Sequence, residues 1–414
     1  MPSALACARS RTRCRSPRHR SGAARGTPMG ARRSTCCCDD RPLGRQDDRV
    51  VPRGPRMKQP PTVSFRADAG VTLGGGHVMR CLALATEMRR WGWVVHFATG
   101  PETAAVVPAL GRAGIAVRVV GTAGELESAQ ATEVDLAVFD HYALDETAER
   151  RARRWARRIM VIDDLANRRH DADVLLDGTL DRRAEDYRGL VTDDCRLLLG
   201  PDYALVRPRF AAARRHRRVA PGASPCILVS LGATDPERVA EAVLAGLARH
   251  AGRLAVTVVT GAATEHLAAI RAAAAASPHA VDVRVDVTDM AALMAAADLA
   301  IGGAGTSAWE RCCVGLPSLV IELADNQRGT AAALHRHGAA RNLGPASGLD
   351  SGKVGTAVHE LLADTGGWRR MANAASRVCD GRGVARTLAA LAAPVLAGAA
   401  RVTLRAAEGS DAPR

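Results

Sequence analysis

From residue 62 to about residue 390, short apolar runs rich in β-formers alternate with longer stretches of helical periodicity, and this alternation limits what the chain can fold into. Segments 94–98, 115–120, 134–139 and 159–162 read as strands, and 102–113 and 144–155 between them read as helices. Strands that alternate with helices in this way form a parallel sheet covered on both faces. Less regular apolar runs follow at 174–176 and 197–199. A basic, proline-bearing segment from Arg207 through Pro225 then breaks the pattern, which restarts with strands at 227–231, 254–260, 281–285, 299–301 and 318–321. Helical stretches lie between these strands at 236–250, 264–276, 289–297, 306–314 and 327–338, and 354–362 and 368–390 close the fold. The expected fold class is therefore α/β, with two Rossmann-like domains facing a central cleft. Its N-terminal domain spans 59–210, its linker 211–224 and its C-terminal domain 225–397. Ligands of such folds sit outside the carboxyl ends of the strands.

Gly74-Gly75-Gly76-His77 follows the first strand and opens a helix pattern at Met79, Leu82, Ala83 and Met88. Glycines allow a sharp turn and close approach to a ligand, and a helix N-terminus gathers unpaired N–H groups that favour an anion. A histidine at such a turn is placed to move a proton beside a phosphate, since histidines in general titrate near neutrality. Capping or packing is its ordinary alternative role. The glycines do not form the G-x-G-x-x-G dinucleotide pattern. Arg66 and Asp68, just after the first strand, should border the same cleft. Asp140-His141-Tyr142 and Asp163-Asp164 are polar clusters at later strand ends. The paired acids have no third ligand at metal-site spacing and equally suit helix caps.

In the second half, Gly232-Ala233-Thr234-Asp235 forms a turn after the first strand. The richer segment is Ile301-Gly302-Gly303-Ala304-Gly305-Thr306-Ser307-Ala308-Trp309-Glu310. Its backbone N–H groups are placed to hold a diphosphate, with hydroxyls from Thr306 and Ser307. Glu310, one turn into the helix, can accept bonds from both hydroxyls of a ribose. Asn326 and Gln327 add polar groups at the same cleft edge or cap the next helix.

The formal charge of +14 is uneven. Residues 1–58 hold 15 Lys or Arg against 4 Asp, and the rest of the chain carries only the remaining +3. This basic arm has no apolar periodicity and reads as disordered and dispensable, with Met57 as a natural start. It lacks the apolar core of a signal peptide. Residues 398–414 read as a tail. No run approaches the length of a membrane span. Of eleven cysteines, five are in the arm, and the other six show no C-x-x-C spacing, so buried thiols in a reducing cytoplasm are expected.

Phe65-Arg66-Ala67-Asp68, Gly74-Gly75-Gly76-His77, Arg80-Cys81-Leu82, Val161-Ile162-Asp163-Asp164-Leu165-Ala166, Leu231-Gly232-Ala233-Thr234-Asp235 and the stretch from Gly302 to Gln327 together resemble a known family. It is the PseG family of UDP-2,4-diacetamido-2,4,6-trideoxy-β-L-altropyranose hydrolases of pseudaminic acid biosynthesis. The resemblance spans roughly residues 62–390, and the second domain is similar to MurG-like glycosyltransferases of the GT-B fold. It implies hydrolysis of a UDP-sugar with inversion at the anomeric carbon, His77 activating water and Tyr142 beside the sugar. Arg66, Asp68, Gly75, Gly76, Arg80, Gly232, Thr234 and Asp235 would border the substrate. Glu310 would hold the ribose, the loop with Gly303, Gly305, Thr306 and Ser307 the diphosphate, and Asn326 and Gln327 the sugar or its phosphates. No cofactor, metal or nucleic acid is implied, and a cytoplasmic monomer is expected. The neutral imidazole would be the working form, with activity falling as acid protonates it. The alternative is a GT-B glycosyltransferase using a UDP-sugar donor, although no apolar or basic acceptor stretch stands out in the first domain. A nucleotide-sugar binding protein without turnover is the third reading.

Overall fold

The computed structural model describes residues 60–121, 133–235 and 237–392. The basic arm, Met57 and the tail from 398 lie outside the described residues. Seven strands form the first sheet: β1 (Thr62–Ala67), β2 (Val94–Thr99), β3 (Ala116–Val119), β4 (Leu136–Asp140), β5 (Ile159–Ile162), β6 (Val174–Asp177) and β7 (Arg196–Leu199). All are parallel, in the order β3-β2-β1-β4-β5-β6-β7. Six strands form the second: β8 (Cys226–Ser230), β9 (Ala255–Thr260), β10 (Ala280–Val285), β11 (Leu299–Gly303), β12 (Ser318–Glu322) and β13 (Arg341–Pro345). These too are parallel, in the order β10-β9-β8-β11-β12-β13. The two-domain α/β fold agrees with the sequence reading.

The central strands explain the continuous apolar runs. All of Leu136–Asp140, Ile159–Ile162 and Leu299–Gly303 is buried, as befits parallel sheets with helices on both faces. In the N-terminal domain these are α1 (Gly76–Arg90), α2 (Thr103–Val106), α3 (Pro108–Arg112) and α4 (Glu146–Ala152). After them come α5 (Pro208–Ala213), α6 (Val239–Leu247), α7 (Leu267–Ala275), α8 (Met290–Ala296), α9 (Thr306–Val314) and α10 (Arg328–Arg336). The chain ends in α11 (Ser351–Ala363), α12 (Thr365–Val378) and α13 (Gly383–Ala392).

Strand order reverses between β1 and β4 in the first sheet and between β8 and β11 in the second. Loops on either side of such a reversal diverge and leave a crevice at the carboxyl edge. The crevice-forming loops are those after β1, β4, β8 and β11, the same segments that carry the glycine-rich and polar motifs.

Several elements differ from the sequence reading for identifiable reasons. The helix expected over 102–113 is two short ones, because Pro108 disfavours helical geometry at Val107 (φ −126°, ψ 73°). The long final helix breaks where Cys379 is extended (φ −137°, ψ 120°) and Gly381 is left-handed (φ 76°). Its last part, α13, packs back onto the N-terminal core through Val384, Leu388 and Leu391. Arg158 and Arg196 donate to the Leu391 and Ala390 carbonyls at 2.8 and 2.9 Å, placing positive charge at the α13 C-terminus. The segment assigned as linker begins in α5, whose Phe210 and Ala213 are buried in the C-terminal core. Strand β13, Arg-Asn-Leu-Gly-Pro, has no apolar run and so is not among the strands that the sequence pattern predicts. Among the described residues, no helix is long and apolar enough to cross a membrane.

Candidate active site at the interdomain cleft

A cavity of about 620 Å³ lies between the domains, walled by α1 and the loops after β4 and β5 on one side and by the loops after β8, β10 and β11 on the other. Helices α1 and α9 both start at it. Gly75 precedes α1 and Gly305 precedes α9; neither helix has a side-chain cap or an acidic residue in its first turn. Their first N–H groups and positive dipole ends are left for a ligand. The two starts are close to each other: a Cβ on Gly76 would stand 3.0 Å from Thr306 Oγ1.

The α9 loop is held from below. Gln327 Oε1 accepts from Ala304 N at 2.9 Å, and Arg311 donates from Nη2 to the Gly303 carbonyl at 2.5 Å and from Nη1 to Ser307 Oγ at 3.2 Å. A Cβ on Gly302 would meet the Ser230 carbonyl at 2.6 Å, so glycine there lets β11 and β8 approach closely. Arg311 is only 2% exposed, and burial pushes its guanidinium down to about 10.

His77 is buried, and its Nδ1 lies 2.5 Å from Asp140 Oδ1. The parallel register pairing Ala67 with Asp140 brings this carboxylate beside the β1 loop. Asp140 also accepts from Arg80 Nε and Nη2, both at 2.7 Å. Burial by itself would raise the Asp140 carboxyl, but the Arg80 guanidinium and then His77 outweigh it and hold the carboxyl well below the usual range. An ionised carboxylate only accepts, so the His77 proton sits on Nδ1. The 3.2 Å approach of Arg80 Nη2 to the same nitrogen is then a contact between two donors. Nε2 retains the lone pair needed for general-base work.

Arg80 also donates to Asp164 at 2.9 Å, and Asp164 accepts from the Tyr142 hydroxyl at 3.0 Å. The Tyr142 ring stands edge-on to His77, with centroids 4.6 Å apart at 90°. Asn326 Nδ2 of the opposite domain donates to the Tyr142 oxygen at 2.6 Å. Burial, then Asp164, raises the tyrosine hydroxyl, so it stays protonated as a donor. Tyr142→Phe keeps the ring and removes the link. Its expected effects are a loss of about 1 kcal/mol by thermal melting and a several-fold higher KM.

The cavity wall brings together Gly75, Gly76, His77, Arg80, Tyr142, Gly232, Gly303, Gly305, Thr306, Ser307, Glu310, Asn326 and Gln327. Four residues assigned from sequence are not among those lining it. Asp68 is consumed by Arg66, His141 Nε2 (3.0 Å) and Gly100 N (2.6 Å), tying together the loops after β1, β2 and β4. Arg66 is 4% exposed. Asp235 accepts from the Val239 and Ala240 N–H groups at 2.9 Å and so caps α6. Thr234 donates to the Val71 carbonyl of the other domain at 2.9 Å. These four shape the cleft from behind its wall. Conversely, Asp164 and Arg207 line the cavity and Asp140 bonds His77 from behind it, although the sequence reading places Asp140 and Asp164 only in polar clusters at strand ends and assigns none of the three a contact. Among the described residues, no group of acidic, histidine or cysteine side chains is arranged to hold a metal ion.

Comparisons with known proteins agree with this layout. The glycosyltransferase family 28 C-terminal domain matches residues 226–377. Spore coat polysaccharide biosynthesis protein SpsG of Bacillus subtilis is 28% identical over 297 residues, covering 68% of this chain and 83% of that protein. The UDP-2,4-diacetamido-2,4,6-trideoxy-β-L-altropyranose hydrolase of Campylobacter jejuni is 26% identical over 157 residues, 38% of this chain and 56% of that one. Among solved structures, Acinetobacter baumannii MurG superposes with a TM-score of 0.58 at 17% identity, covering 80% of this chain and 99% of that one. The spinosyn rhamnosyltransferase SpnG gives 0.54 at 15%, covering 80% and 100%. The chain therefore has the two-domain GT-B fold, with a C-terminal half similar to the family 28 C-terminal domain.

Proposed function

We propose that this chain is an enzyme that breaks the bond between the anomeric carbon and the diphosphate of a UDP-sugar, with His77 taking the proton of the attacking acceptor. The observation that carries the reading is the convergence of two uncapped helix starts, α1 and α9, on one cavity whose wall includes His77, itself paired with the buried Asp140 behind it. Two positive helix ends suit the two charges of a diphosphate. As UDP leaves, the same N–H groups stabilise the charge it gathers. Glu310 takes the ribose, and Tyr142, Asn326 and Arg80 border the sugar.

The acceptor separates two readings. Glycosyl transfer to a hydroxyl compound has the wider support, from the family 28 match and the transferases that share the fold. The cavity is also lined by Leu73, Met79, Ala83, Val107, Pro108 and Arg112, from α1 and the α2–α3 segment. This largely apolar wall, absent from the sequence reading, would suit an acceptor larger than water. Transfer to water is supported by the 26% identity to the Campylobacter hydrolase and by the motifs shared with its family.

The test is UDP release from UDP-2,4-diacetamido-2,4,6-trideoxy-altrose and from UDP-N-acetylglucosamine, with and without sugar and lipid-linked acceptors. Release dependent on an acceptor supports transfer, and rapid release in buffer alone supports hydrolysis. Failure to bind UDP would overturn both.

A further inference from the structure

We propose that Arg207 sets the nucleotide selectivity of the cleft: by pairing with Glu310 it fixes that carboxylate as the acceptor of a ribose diol, so the chain selects ribonucleoside over 2′-deoxyribonucleoside diphosphates. The proposal rests on the UDP-binding reading above and adds a residue that this reading does not use.

Arg207 stands where the chain crosses between the domains. The preceding Ala204, Leu205 and Val206 are buried, and α5 begins at the following Pro208. Its guanidinium lies 5.0 Å over the ring of the fully buried Phe210, and its Nη2 donates to Glu310 Oε1 at 3.1 Å. Both side chains line the cavity and are largely covered, 21% and 14% exposed. Arg207 Nε is buried with no hydrogen-bond partner among the described residues. Two residues on, Arg209 donates to the Thr288 carbonyl at 3.0 Å and ties the same crossing to another loop of the cavity.

A carboxylate that accepts two hydroxyl protons must be ionised and held still. Burial pushes the Glu310 carboxyl up, and the cations opposing that are Arg207 first, then Arg311 and Arg209. With Arg207 bonded to Oε1, Oε2 and the second lone pair of Oε1 remain to accept. A ribose offers two donors and a 2′-deoxyribose one. The missing charged hydrogen bond is expected to cost on the order of 10–100-fold in affinity. Arg207→Met removes the nearest counter-charge, so the carboxyl takes up a proton at higher pH and accepts less well.

The experiment is a calorimetric titration of UDP and 2′-deoxy-UDP into the full chain, Arg207→Met and Arg207→Lys, at neutral and mildly acidic pH. Wild type should prefer UDP by that factor. Arg207→Met should bring the two nucleotides to within a few-fold, and its UDP affinity should begin to fall at a higher pH as acid is added. Arg207→Lys, which keeps the charge, should restore part of the preference. An unchanged preference and pH profile in Arg207→Met would overturn the proposal, as would a wild type that binds both nucleotides alike. Equal loss of both nucleotides in both variants, with a lower melting temperature, would assign Arg207 to folding instead. A wild type that binds no UDP at all would fail the nucleotide reading itself.

Discussion

Replacing His77 by asparagine should lower kcat by roughly 10²–10⁴-fold while leaving UDP affinity within a few-fold of wild type. The imidazole lines the cavity, and with Asp140 held to Nδ1 at 2.5 Å its Nε2 lone pair is the one left to take a proton. Asparagine can still donate to Asp140 and so keeps the buried carboxylate satisfied, but it is no base. On the proposed reading the diphosphate contacts would come from the backbone N–H groups at the α1 and α9 starts, and these do not depend on the ring. Steady-state UDP release together with a UDP titration measures both quantities. Full turnover in the variant would remove His77 from the chemistry.

Asp140→Asn should be nearly as damaging and should also destabilise the fold. A side-chain amide has an N–H donor where the carboxylate only accepts. The His77 ring is then free to carry its proton on Nε2, the nitrogen that must receive one, at an expected cost of roughly 10²–10⁴-fold in kcat. Arg80 loses its strongest counter-charge, and one of its two 2.7 Å acceptors becomes an N–H donor facing it. Removing one partner of a buried ion pair costs about 3–5 kcal/mol, which chemical denaturation would register. The pH dependence follows from the same contacts. The folded carboxyl titrates below its ordinary value, so its stabilisation is complete above the unfolded carboxylate range, near about pH 4, and is lost as the pH falls beneath it. Asp140→Asn should therefore lose stability at neutral pH and show a shallower fall in acid than wild type.

The elements legible in the sequence were those written in local pattern. Parallel strands buried on both faces leave uninterrupted apolar runs, and a strand followed by glycines and a helix start marks a cleft loop; hence the sequence places His77, Thr306, Ser307 and Glu310 at a cleft, and they line the cavity. What could not be read depends on partners far apart in sequence. Asp140 was one of three polar residues at a strand end, and only the β1–β4 register places it on His77 across 63 positions. Arg207 looked like part of a basic linker, whereas the crossing chain turns it into the C-terminal half of the cleft. Arg66 and Asp68 differ the other way: the sequence reads both as following the first strand at the cleft edge, whereas Arg66 lies within β1 and pairs with Asp68, whose carboxylate ties three loops together behind the cavity wall. The apolar part of the cavity wall is hidden for a similar reason, since the α1 and α2–α3 residues that line it read as ordinary amphipathic helix.

Whether the α1 and α9 starts close on one diphosphate is tested most directly by calorimetric titration of the wild-type chain with UDP, UMP and uridine. UDP should bind at least roughly 10-fold more tightly than UMP, and UMP more tightly than uridine, because each phosphate removed gives up charge-assisted bonds at those helix starts. Equal affinity for the three, or no binding of UDP, would contradict it.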